Sequence, residues 1–116
     1  MNTLQRLINK INAKQNFTYN LTNNRERYIV SIKSIYNGLN PSIDFDLITK
    51  VSKIIGAKNH SFDSLGSWFN EGNKTYCLDL NIHLSDLTTA LKLAKVNKQT
   101  AIFDSKKNLV IYLNNI

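Results

Sequence analysis

The chain reads as an α+β domain in which three αββ units follow one another, giving a mainly antiparallel sheet of about five or six strands with helices packed on one face. Three observations predict this. Apolar residues recur at helical spacing from near residues 3, 42 and 86. Each helical stretch is followed by two strand-like runs, and the connections are short and polar. The starts are roughly forty residues apart, but the units share little residue-level similarity, so the regularity describes an architecture rather than a solenoid repeat.

In the first helix Leu4, Leu7, Ile8 and Ile11 form one stripe, with Asn2 or Thr3 as N-cap. Arg6, Lys10 and Lys14 recur every four residues on the solvent side. The run 17–21 alternates Phe17, Tyr19 and Leu21 against Thr18 and Asn20, turns around TNNR, and continues as 28–32 with Tyr28, Val30 and Ile32 on one side. The second helix is expected to be capped by Asn40, with Pro41 in its first turn and Asp44 near the positive end of its dipole. Ile43, Leu47, Ile48, Val51, Ile54 and Ile55 make its buried face, and Gly56 its stop. Residues 65–69 and 75–82 form a hairpin through NEGN, where Gly72 is expected to supply the positive φ of the turn. Ser85 is expected to cap the third helix, which runs to about Val96 with Leu87, Ala90, Leu91 and Ala94 inward. TAIFD (100–104) and LVIYL (109–113) form the last hairpin. Because LVIYL is apolar at all five positions, it is expected to lie centrally in the sheet.

A length of 116 residues makes one domain, 1–116, since halves would be too small to bury a stable core. No apolar run is long enough to span a bilayer, and the polar-interrupted N-terminus lacks a signal-peptide pattern. No membrane association and a cytoplasmic location are therefore expected. The single cysteine, Cys77, forbids an internal disulfide and a multi-thiolate metal site. The net charge of +7 is uneven: residues 1–40 carry +5, 41–86 carry −2 and 87–116 carry +4. Such basic ends suit an anionic partner, although the abundance of Asn, Lys and Ile is also what an AT-rich genome produces by codon bias.

The inventory of chemistry is short. His60 and His83 are far apart, and no H-x3-H, C-x2-C, calcium loop or phosphate-binding glycine motif occurs. No catalytic residue, metal or cofactor is assigned. Asp63, Glu71, Asp79 and Asp104 sit at strand ends and turns, where acids are ordinary; a minor alternative is an enzyme using such acids with His83. Two binding surfaces are candidates. One is nucleic-acid binding by Arg6, Lys10, Lys14, Arg25, Arg27 and Lys33 through phosphate contacts, with tyrosines and Trp68 for stacking. The other is a protein contact through Trp68 and Phe69, with Asp79 and His83 on an outer face, or through an open sheet edge that accepts a strand, including that of a second copy.

The C-terminal half carries a patterned set of residues: Gly66 and Trp68, then Lys74 and Tyr76 after a turn, then Asp79. Asp86, Ala90, Leu93 and Ala94 follow, and then Gln99, Ala101, Ile102, Phe103 and Asp104. Over about forty residues this resembles small uncharacterised proteins encoded by bacteriophages and mobile elements, which read G-x-W, GK-x-Y, D, D-x-x-x-A-x-x-L-A and Q-x-A-I-F/W-D. Cys77 stands where an aliphatic strand residue is expected, and Leu80 where a turn residue is. The resemblance implies a setting and no catalytic residues: a non-enzymatic accessory protein in the cytoplasm of a bacterial host, binding a host or defence protein, with nucleic acid as the alternative partner.

Overall fold

The computed structural model describes residues 2–41 and 43–115. In chain order the elements are α1 (Thr3–Asn12), β1 (Phe17–Asn20), β2 (Tyr28–Gly38), α2 (Phe45–Gly56), β3 (Ser64–Asn70), β4 (Thr75–Leu84), α3 (Leu87–Val96), β5 (Ala101–Asp104) and β6 (Leu109–Tyr112), ending in a single 3-10 turn at Leu113–Asn115. The αββ series is present in all three units.

Each helix is set by its cap. Asn2 Oδ1 accepts from the Gln5 N–H at 2.8 Å to start α1. For α2 the cap is Asp44, which accepts from the Leu47 N–H at 3.0 Å, not Asn40. Asn40 instead accepts from Lys14 Nζ at 2.7 Å, and Pro41 precedes the helix. Residue 42 itself lies outside the described residues, but the helix begins at Phe45, three residues later than expected. For α3 the cap is Asp86 rather than Ser85. Its carboxylate accepts from both the Thr89 N–H (2.8 Å) and the Thr89 hydroxyl (2.6 Å). Thr89's bonds hold the Asp86 carboxyl below its ordinary range.

The left-handed positions fall on lysines and one asparagine rather than on glycine. α1 and α3 both close with a lysine just past the helix, Lys14 (φ 53) and Lys98 (φ 58). The next N–H reaches back each time, Gln15 to the Lys10 carbonyl at 2.9 Å and Gln99 to the Ala94 carbonyl at 2.8 Å. In the β3–β4 turn the positive φ belongs to Lys74 (61), not Gly72. Gly72 is held differently, donating its N–H to Asn70 Oδ1 at 2.9 Å.

The strands form one six-stranded sheet in the order β1-β3-β4-β2-β5-β6, antiparallel at every pairing. Two expectations are corrected. The first two strands do not pair with each other. The β3–β4 hairpin lies between them, because residues 21–27 form a bridge anchored on Asp63 rather than a tight turn: the Leu21 and Thr22 N–H groups both donate to its carbonyl, at 2.8 and 3.3 Å. LVIYL is not central either; β6 is the outermost strand, paired only with β5.

β2 carries two irregularities against β4, between Ser31 and Lys33 and between Ser34 and Tyr36. Each extra residue bends a strand and increases its local twist. The register places Leu65, Tyr76, Leu78, Leu80, Val30, Tyr28 and Ile102 on one face. All three helices cover it, in two adjoining cores. α1 and α2 contribute Leu7, Ile11, Leu47 and Val51 to a core with Leu65, Tyr76, Leu78 and Leu80. α3 contributes Ala90 and Ala94 to a smaller one with Tyr28, Val30 and Ile102. The small alanines let α3 lie close to the strands. Among the described residues no helix is long and apolar enough to cross a membrane.

Candidate binding site

The opposite face of the sheet is concave and carries no helix. Its floor is Gly66, Asp79, Asn81, Ser31 and Ile29 from β3, β4 and β2; residues 16–18 wall it on one side, and residues 99–103 with Val110 on the other. They enclose a cavity of about 480 Å³, within the range that takes a small organic ligand. The curvature brings the two ends of the strand order to opposite walls of one hollow.

Gly66 keeps the floor low. A Cβ there would stand 2.7 Å from Asn81 Nδ2, and that nitrogen donates to Ser64 Oγ at 3.1 Å. A side chain at 66 must therefore displace a buried hydrogen bond. Gly66→Ala is expected to lower the unfolding free energy by about 1–2 kcal/mol, read as a lower urea midpoint; an unchanged midpoint would mean that Asn81 swings aside freely.

Asp79 is the sole ionisable side chain in the cavity lining. Burial raises its carboxyl to about 6, and the Ser31 hydroxyl opposes that rise. The help is partial, since Ser31 Oγ is itself buried without a hydrogen bond of ordinary geometry. Cys77, two residues away on the same face, has its thiol raised by burial and then by the Asp79 charge. Trp68, half-buried, lines the cavity and lies opposite Cys77 in the register.

Of the four residues expected in a protein contact, the structure brings Trp68 and Asp79 together and separates the other two. Phe69 points to the helical side, packing against the larger core. His83 is buried, 4% exposed, and both ring nitrogens are engaged. The Asn24 carbonyl, 2.9 Å from Nδ1, can only accept. Nδ1 therefore carries the proton, and Nε2 accepts from the Ser64 hydroxyl at 2.8 Å. That Ser–His pair has the spacing of a nucleophile and its base, but Ser64 is fully buried and neither residue lines the cavity. It ties β3 to β4 and to the loop at Asn24. Asp63 belongs to the same junction, accepting from the Thr22 hydroxyl at 2.7 Å, Asn24 Nδ2 at 3.2 Å and the His83 N–H at 2.8 Å.

The six basic residues do not share one place. β1 and β2 run antiparallel within the sheet, so Lys14, bonded to Asn40, marks the end where β1 begins and β2 finishes. Arg25 and Arg27 mark the opposite end, with Arg25 Nη1 donating to the Thr22 carbonyl at 2.5 Å. Arg6 and Lys10 lie on α1 and Lys33 in mid-β2. Arg27 is engaged in a two-pronged pair with Asp104, Nε to Oδ1 at 2.8 Å and Nη2 to Oδ2 at 2.7 Å, and stands 5.0 Å from the Tyr28 ring centre. Arg27's hydrogen bonds hold the Asp104 carboxyl down at about 2 against the effect of burial. Glu71, the last of the four acids singled out in the sequence, makes an exposed ion pair with Lys74 at 3.7 Å.

The sequence assigned no site role to Ser31, Gly66, Asn81, Phe103 or Val110. A glycine inside a strand pattern is a signal of close approach, and Gly66 carried it; the others became visible only once strand order was known. No protein-family model matches the chain, and neither a curated protein nor a solved structure matches it.

Proposed function

We propose that this chain is a non-enzymatic binding protein whose partner is another protein, held by antiparallel strand addition along β6. One observation carries the reading. β6 is apolar throughout, the composition of a strand covered on both sides, yet it has one neighbour, and Leu109, Val110 and Tyr112 are 51%, 38% and 43% exposed. The Leu113 N–H donates to the Thr100 carbonyl at 2.9 Å. By the alternation of an antiparallel ladder, the amides of Val110 and Tyr112 then point outward, away from β5. Neither proline nor charge interrupts β6 to blunt that edge. An extended apolar segment would find both a row of free backbone groups and side chains to pack against.

Two further facts support binding over catalysis and over nucleic acid. The Ser64–His83 pair is sealed away from the cavity, and the basic residues are spread over α1, mid-β2 and both ends of the sheet. The resemblance to phage and mobile-element proteins makes a host or defence protein the class of partner.

Selection from a random-peptide display library tests the proposal. Enriched peptides are expected to alternate β-branched or aromatic residues, and Val110→Pro, which removes an outward N–H without touching the bonds to β5, is expected to weaken them by about a hundredfold or more. Binding indifferent to Val110→Pro would overturn strand addition. Concentration-dependent self-association abolished by the same substitution would replace the foreign partner with a second copy.

A further inference from the structure

We propose that the concave cavity is a binding site for a small organic cation, an amine or guanidinium carried on a planar or apolar body. The site adjoins the β6 edge through Val110, which lines the cavity, but it does not depend on strand addition.

The first ground is charge. The chain has 15 Lys and Arg against 8 Asp and Glu, yet Asp79 alone among the cavity-lining residues is ionisable. A hollow in a basic protein that excludes every lysine and arginine and retains one carboxylate selects for positive charge. The second ground is the incomplete pairing of that carboxylate. The register sets Gly66 on one side of Asp79 and Ser34 on the other, neither of them charged. Cys77 on its own strand is the titratable neighbour that senses it. Ser31 Oγ, buried in the lining, meets that carboxylate without a hydrogen bond of ordinary geometry. An under-satisfied hydroxyl and a desolvated carboxylate side by side leave acceptor capacity suited to an N–H donor.

The third ground is the walls. Trp68 lines the cavity from β3, and Phe103, with Val110 opposite it in the register, lines it from the far side. An aromatic face draws a cation as well as an apolar body, and the attraction grows when water is excluded. At about 480 Å³ the cavity holds a molecule of one or two rings rather than a bare ion.

Trp68 is the chain's only tryptophan, so its fluorescence reports occupancy directly. The whole protein is titrated with phenethylamine and phenethylguanidine, and with phenethyl alcohol and phenylacetate as neutral and anionic counterparts. The cations are expected to change Trp68 emission saturably and to bind about tenfold or more tighter than the alcohol, with phenylacetate weakest. Their affinity is expected to fall as the pH is lowered from about 8 to about 5, because protonation removes the Asp79 charge, while that of the alcohol stays level. Asp79→Asn, which keeps the side-chain shape, is expected to erase the preference for cations and its pH dependence without altering alcohol binding. Equal affinities for amine and alcohol, a cation preference that survives Asp79→Asn, or no change with any probe in both Trp68 emission and the Gly66 and Asn81 amide shifts would each overturn the assignment. Backbone amide shifts at Gly66 and Asn81 give a second readout should Trp68 emission be insensitive.

Discussion

Tyr76→Ala is expected to remove about 3–5 kcal/mol of stability, the cost of deleting a fully buried aromatic ring and leaving its space unfilled. Tyr76 is 0% exposed and sits in the larger core with Leu65, Leu78 and Leu80 beneath α1 and α2. Its hydroxyl donates to the Gln15 carbonyl at 3.1 Å, tying the loop after α1 to the strand behind it. That carbonyl also accepts from Ser67 Oγ at 2.8 Å, so it keeps a donor when the phenol oxygen is removed. Tyr76→Phe should therefore cost only about 1 kcal/mol. Urea unfolding of the two variants separates packing from hydrogen bonding: similar losses for both would place the contribution of Tyr76 in its hydroxyl. Set against the 5–15 kcal/mol typical of a whole domain, the alanine variant's loss is about a fifth or more of the total, and the urea midpoint is expected to fall accordingly.

Asp79→Asn is expected to act in the opposite direction, and to do so only above mildly acid pH. The carboxyl is raised from 3.8 to about 6 in the folded protein, so between those values the folded state holds more protons than the unfolded one. Stability then falls as pH rises through the window, by about 3 kcal/mol when the group is fully ionised. Asn removes the charge at constant size but brings amide hydrogens of its own to satisfy. A net gain of about 2 kcal/mol near pH 7.5, vanishing near pH 4, is the expected result. Asp104 has the reverse sign. Its folded value is lowered to about 2, so its pairing with Arg27 stabilises above the ordinary carboxylate range and is lost as pH falls from about 4 toward 2. Unfolding free energies across this range should peak near about pH 4–5, and in Asp79→Asn the neutral limb should flatten while the acid limb persists. A variant no more stable than the parent at neutral pH would contradict the desolvation of Asp79.

These residues also mark what was legible in the sequence. The three helices and most of the faces they bury follow from spacing alone, as the burial of Leu7, Ile11, Leu47, Val51, Ala90 and Ala94 attests, but Leu87, expected inward, is exposed in the first turn of α3. Period two likewise placed Tyr76, Leu78 and Leu80 on one side of β4. Strand order was not legible, because pairing partners are chosen across the whole chain while the pattern is local. LVIYL has the composition of a central strand and lies at the edge; the bridge at 21–27 resembles a turn until Asp63 is seen to fasten it. The cavity was hidden for the same reason. Asp79 reads as an ordinary strand acid until Gly66, Ser31 and the far wall of β5 are placed around it. The expected contact set was half assembled, since the register puts Trp68 and Asp79 on one face of the sheet and Phe69 on the other. His83 shares their side of the sheet and is consumed by Ser64 and Asn24.

The join between β2 and β5 has a mechanical consequence. Their register comprises Tyr28 with Asp104 and Ile29 with Phe103, with the Arg27–Asp104 clamp at its end. The lesser core straddles this seam, joining Tyr28 and Val30 of β2 to Ile102 of β5 beneath Ala90 and Ala94 of α3. With so few paired residues, the terminal hairpin leans on that core, and it is the expected site of local opening under native conditions. The hollow spans the same seam from the other face, with Asp79 and Trp68 on one bank and Phe103 and Val110 on the other. A molecule bound there would act as a rivet, its binding energy adding to the work of prising the hairpin from β2.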